Sequence, residues 1–271
     1  MTSLEYFKWD ELADSVWTNK YKLANEETPR DMHIRLAYEF EKIERKYTKD
    51  IDAVRHILSK YGNDRSNLSA QAIVNLFDHF NYIVPGGSVM SGLGSDNPVS
   101  LSNCFVIPSP KDSISNIFDT ARDMAQIYKR RGGIGVDISK LRPSGSIVHN
   151  AANTSSGSIS FMELYSKVTE IIGQSGRRGA SLISIDIRHP DVLNFITCKS
   201  DLSKITGANI SVKIDKEFRD AVNKDEDYIL RWPIETPLPN HPETLEYKVL
   251  TKDTLSDNST VYYKKVKDKE L

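Results

Sequence analysis

From about residue 100 the chain alternates short apolar runs with stretches of helical periodicity. That alternation limits its fold more than any other feature. Residues 103–107, 134–137, 182–187 and 208–214 are apolar runs of strand length. Bounded by turn residues, such runs read as buried strands. Between them Ile114, Ile117, Phe118, Ala121, Met124, Ala125 and Tyr128 recur at helical spacing, followed by Met162, Tyr165 and Val168 over 159–172. Shorter helices are expected over 191–199 and 216–223. Strands alternating with helices predict an α/β arrangement with crossover connections. Asp112 or Ser113 can cap the first long helix. It ends at Lys129-Arg130-Arg131, where cations suit the helix dipole, and stops at Gly132-Gly133.

The region before residue 85 is different. Residues 32–47 place Ile34, Leu36, Ala37, Phe40 and Ile43 near helical spacing. Residues 51–61 and 69–81 continue the pattern until Pro85-Gly86-Gly87 breaks it. The expected division is a helical N-terminal domain over 1–85 and an α/β domain over 86–271. The latter closes with a polar β excursion over 238–267, marked by Val261-Tyr262-Tyr263. With 39% hydrophobic and 27% charged residues, the composition supports a packed core. Lys and Arg number 36 against 37 Asp and Glu, so no basic excess points to nucleic acid or an anionic membrane. No run approaches the roughly 18 apolar residues of a membrane span. The N-terminus is polar and mixed in charge, unlike a signal peptide. A cytoplasmic protein is expected.

Two loops are rich in glycine and polar residues, 141–158 and 173–179. Arg142, Arg177 and Arg178 offer forked donors that suit a phosphate, or they are solvated loop arginines. The pattern is neither a P-loop nor a dinucleotide fingerprint, because Gly132-Gly133-Ile134-Gly135 precedes a strand. Cys104 and Cys198 make no disulfide framework and no metal spacing. Cys104, inside a predicted strand, is either a small core residue or a reactive thiol. Cys198 reads more strongly as core. His33, His56, His79, His149, His189 and His241 form no cluster and read as surface or interface residues.

Six motifs in order, however, resemble the large, catalytic subunit of ribonucleotide reductase. They are Pro85-Gly-Gly-Ser-Val-Met-Ser-Gly92, Leu101-Ser-Asn-Cys-Phe-Val-Ile107, Asp112-Ser113, Lys129-Arg-Arg-Gly-Gly-Ile-Gly-Val-Asp137, Leu141-Arg-Pro-Ser-Gly145 and Gly173-Gln-Ser-Gly-Arg-Arg-Gly-Ala180. The resemblance runs from about residue 80 to Pro233. Residues 9–21 resemble the family's start in a version lacking the additional regulatory ATP-binding domain. The implied fold is a helical N-terminal domain followed by the first half of a ten-stranded α/β barrel. The family's radical cysteine, catalytic glutamate and second redox cysteine are expected beyond residue 271. The chain is then the N-terminal half of an enzyme, naturally split or truncated, and inactive without its complementary C-terminal half.

The resemblance also implies roles. Cys104 matches the first cysteine of the pair that reduces the substrate 2′-carbon. Asn103 and Gly133 match substrate contacts, as does Ser88 (or Gly87) for the substrate phosphate. Arg178, or less favoured Arg177, matches a substrate contact in the second loop. Asp112, Ser113, Ile114 and Arg142 match a specificity site for a dNTP or ATP effector. The helices at 113–130 and 159–172 match a homodimer surface. The radical would come from adenosylcobalamin or from a separate metal-containing radical subunit, and thioredoxin or glutaredoxin would act as reductant. The alternative is a non-catalytic dNTP-binding, effector-sensing module or an inactive remnant.

Overall fold

The computed structural model describes residues 1–54, 68–172, 179–201 and 203–267, with 47–54 as backbone. Two compact units divide between Asn103 and Cys104. The first unit is helical. Helices α1 (Ser3–Tyr6), α2 (Glu11–Lys20), α3 (Pro29–Val54), α4 (Ala70–Phe77) and α5 (Gly87–Gly92) build it, with a 3-10 turn at Asp78–Phe80. The starts of α1, α2 and α4 are fixed by the side chains of Thr2, Asp10 and Ser69, each accepting a backbone N–H of the first turn. Met32, Leu36 and Ala37 of α3 bury the stripe that the spacing predicts, against Trp17, Ile73, Val74 and Phe77. The helical periodicity expected over 55–61 lies outside the described residues.

The second unit is α/β. Its sheet has four parallel strands in the order β1-β2-β3-β4: β1 (Cys104–Val106), β2 (Gly133–Asp137), β3 (Ser181–Asp186) and β4 (Ala208–Lys213). Helices α6 (Ile114–Tyr128), α7 (Ser158–Ile171), α8 (Val192–Thr197) and α9 (Lys216–Lys224) lie in sequence between or after the strands. Ser113 is the cap of α6, its side chain accepting from Asn116 N. Ile117, Ala121, Met124 and Tyr128 on α6 and Met162 and Tyr165 on α7 share one core with Ile183 and Ile185 of β3. Tyr165 donates to Ile117 O at 3.2 Å, and the Tyr128 and Thr169 hydroxyls lie 3.0 Å apart, so both of these phenols have a partner. Burial pushes the Tyr165 phenol up to about 12.

A second sheet, antiparallel and ordered β5-β7-β6, follows: β5 (Tyr228–Trp232), β6 (Thr251–Thr254) and β7 (Thr260–Val266). The expected β excursion is therefore a hairpin, β6–β7, joined by a strand the apolar pattern did not mark. No helix among the described residues is long and apolar enough to cross a membrane.

Candidate functional site

The strand at 104–106 forms as its β-branched and aromatic residues predict, but it is not buried. Cys104 is exposed and Val106 is 91% exposed. The reason is the face: Val106 is in register with Gly135 and Leu182, and Leu182 of the central strand β3 is itself 44% exposed, while Phe105 lies on the opposite face with buried Ile134 and Ser181. Strand β1 is also the outermost strand, paired on one side only among the described residues. Its register sets Cys104 opposite Gly133 and Phe105 opposite Ile134. The other face of the strand closes on a glycine. A Cβ at Gly132 would come within 2.8 Å of the Phe105 ring and 2.5 Å of Ile127, so no side chain fits there. Cys198 is half-buried and burial raises its thiol pKa, which suits an inert residue.

In the helical unit, Ser88 is buried near the start of α5. Its N–H and its hydroxyl both donate to Asn103 Oδ1, at 3.0 and 2.6 Å. The structure therefore brings Ser88 and Asn103 together. Arg177 and Arg178 lie outside the described residues.

Asp112, Ser113, Ile114 and Arg142 converge on one cavity of about 390 Å³, which His149 and Asn150 also line. Asp112 accepts from Arg142 N at 3.1 Å and from Arg142 Nε at 2.6 Å, while Arg142 Nη1 donates to Ile147 O at 3.2 Å. The loop at 138–157 folds back on itself through Gly145 N to Ser155 O and Val148 N to Asn153 O, both 2.9 Å. Its two ends meet at one buried carboxylate. Asp191 accepts from Ser144 N at 3.1 Å and from Ser158 N and Oγ at 3.0 and 2.9 Å. Gly157 makes this possible. Its φ is +87°, and a Cβ there would lie 2.7 Å from Ser144 N and 2.9 Å from Asp191 Oδ2.

His189 completes the clamp. Its Nδ1 accepts from Asp191 N at 3.0 Å, so Nε2 carries the hydrogen that reaches Leu141 O at 2.7 Å. Burial lowers its pKa, which favours this neutral form. The expectation that the histidines lie at the surface thus fails at two positions: His189 and His33 are fully buried. His33 packs among Tyr6, Phe77 and Phe80, and burial lowers its pKa to about 4.

Residues 102–271 match the family of the ribonucleotide reductase barrel domain. The chain belongs to that family. It is 40% identical over 48% of its length to a vitamin B12-dependent ribonucleoside-diphosphate reductase of Thermoplasma acidophilum, covering 17% of that protein. A Mycobacterium tuberculosis protein of the same name is 32% identical over 61% of this chain and 24% of its own length. A ribonucleoside-diphosphate reductase large subunit of Caenorhabditis elegans is 30% identical over 58% of this chain and 20% of its own. The chain thus spans about a quarter or less of these curated relatives.

The match begins two residues before Cys104 and takes in the parallel sheet, the Asp112 cavity and the second sheet. Within this barrel domain, sequence reasoning missed Asp191 and His189 as holders of the loop. Asp191 read only as a helix start, and a partner 47 residues away leaves no local pattern.

Proposed function

We propose that the chain is the N-terminal component of a ribonucleotide reductase, acting with a C-terminal segment that carries the radical cysteine. The observation that carries this reading is Cys104: an exposed thiol on the rim strand of a ribonucleotide reductase barrel domain, in register with Gly133. In the proposed reaction Cys104 and a second thiol outside these 271 residues form a disulfide. They give up two electrons and two protons: the C2′–O bond breaks, a C2′–H bond forms with the two electrons and one proton, and the 2′-hydroxyl takes the other proton and leaves as water. Ser88, Asn103, Gly133 and Arg178 are proposed to hold the ribonucleotide. Thioredoxin or glutaredoxin would reopen the disulfide.

The Asp112 cavity is proposed to take a dNTP or ATP effector. A carboxylate beside a guanidinium suits a sugar or base at one end and a phosphate at the other. A homodimer through α6 and α7 is supported by Ile114 and Phe118, one turn apart and 61% and 55% exposed. The names of two relatives favour adenosylcobalamin over a separate radical subunit. When bound, it would supply the radical that starts the reaction. The described residues hold no group of three or more His, Cys, Asp or Glu side chains for a metal.

The test is deoxynucleotide formation by the purified chain with and without the complementary C-terminal half of a relative, for parent and Cys104→Ser. Turnover is expected only from the parent with both halves present. Normal turnover by Cys104→Ser would remove the thiol from the mechanism. Nucleotide binding without turnover in any combination would favour an effector-sensing module.

A further inference from the structure

The helical unit holds a groove of about 260 Å³ that no step of the proposed reaction uses. Val16, Trp17 and Tyr21 of α2 line it with Phe7, Phe80 and Met90, and no Asp, Glu, Lys or Arg does so among the described residues. Two of these rings are set by unusual backbone. Phe7 and Phe80 stack with their centres 6.4 Å apart and their planes 10° from parallel. Phe7 is followed by Lys8 and Trp9 at φ +53° and +69°, while His79 and Phe80 lie at +50° and +55°. Bulky residues rarely take left-handed backbone, and here two such turns flank one aromatic pair. Strain of that kind collects where the surrounding structure holds a site in shape.

The groove is open rather than sealed. Val84 lines it and is exposed, as is Leu12, one turn before Val16 on α2. A concave apolar surface that faces water suits a ligand with an apolar body. The charge beside it narrows the class. Lys22 follows Tyr21, and its Nζ lies 5.5 Å from the centre of the Trp17 ring. Arg30, Arg35, Lys42 and Arg45 of the same unit each pair with a carboxylate. Lys22 has no such partner among the described residues. An ammonium on an aromatic wall, with no acid to neutralise it, complements an anion. A cationic ligand would be repelled there, and a neutral one would leave the charge unused. One carboxylate on an apolar body matches both features.

We infer that this groove binds a small amphipathic carboxylate, its alkyl or aryl body among Phe7, Trp17 and Phe80 and its charge at Lys22. The probe is octanoate, titrated calorimetrically into the 271-residue chain, and one site is expected. Octan-1-ol, the same alkyl chain without the charge, should bind about tenfold or more weakly, the effect of one lost charge-assisted hydrogen bond. Lys22→Gln should bring octanoate down to the alcohol's level. Lys224→Gln, in the other compact unit, should leave octanoate binding unchanged. Ala13 lines the groove, so Ala13→Phe should fill it and remove binding of both probes. Val84→Trp, at an exposed position of the same wall, is the second filler should the first misfold. No octanoate binding to the parent chain, octan-1-ol bound as tightly as octanoate, parent-like binding by Lys22→Gln, equal weakening by Lys224→Gln, or full binding by a folded filler variant would each overturn the site.

Discussion

Strand β3 pairs on both edges and keeps Ile183 and Ile185 fully buried, whereas β1, two positions away in the same sheet, pairs on one edge and exposes Cys104 and Val106. Both are short apolar runs, and their sequences do not announce the difference. The face of the sheet decides it. Ile183 and Ile185 point to the covered face and supply packing energy, whereas Leu182 of the same strand is 44% exposed on the face it shares with Val106. A residue on that open face gives up packing energy and gains access, which a reacting thiol requires. Stability and reactivity are thus separated within a few residues of backbone.

The contrast can be broken most forcefully at the centre. Ile185→Ala should cost about 2–5 kcal/mol, the loss of a fully buried aliphatic side chain plus the cavity it leaves. Urea denaturation would measure it, and a loss below about 1 kcal/mol would mean that β3 is not the core strand. Next comes the clamp just after β3. Asp191→Asn keeps the shape but replaces one of two accepting oxygens with a donor, and it should cost about 1.5–3 kcal/mol. A folded variant should also show faster amide exchange at Ser144 and Ser158. Unchanged exchange there would show that the loop ends are held by something else.

A smaller effect is expected from acid. His189 and His33 are neutral when folded, because burial lowers both pKa values. The unfolded chain takes up these protons below about pH 6.5 while the folded chain resists. Their stabilising contribution is complete above that pH and declines as pH falls, for His33 until its folded value near 4. The slope is at most about 1.4 kcal/mol per pH unit per histidine. Replacing His33 with Phe should flatten the pH dependence of unfolding of the helical unit between pH 4 and 6.5. An unchanged slope would mean that the imidazole is already protonated in the fold. The smallest effects belong to the rim: Val106→Ala and Cys104→Ser should shift stability by no more than about 0.5 kcal/mol. A large loss at either would place β1 in the core after all.

The parallel sheet and its helices were legible because period and run length act locally. Ile117, Ala121, Met124 and Tyr128 line up on one face before any tertiary contact exists. Asp112, Ser113, Ile114 and Arg142 were grouped by resemblance, and the structure brings all four to one cavity. Strand β5 was hidden by Arg231 in its middle. That residue is 5% exposed only because Glu217 takes both its Nη1 and Nη2, at 2.9 and 2.6 Å. A buried charge satisfied from another element looks, in sequence, like a loop residue. The exposure of Cys104 and Val106 was hidden for the opposite reason, since nothing in an apolar run says which of its faces will be covered.

Gly157 carries a consequence for inheritance. Its backbone takes a conformation that mirrors an ordinary strand, and the space beside it belongs to Ser144 and Asp191. Every glycine codon turns into a residue with a β-carbon, or a stop, when its first or second base changes. Only the third base is free. The loop that shapes the Asp112 cavity is therefore guarded by a position where almost any inherited coding change is a structural one, and where drift leaves its mark in synonymous bases alone.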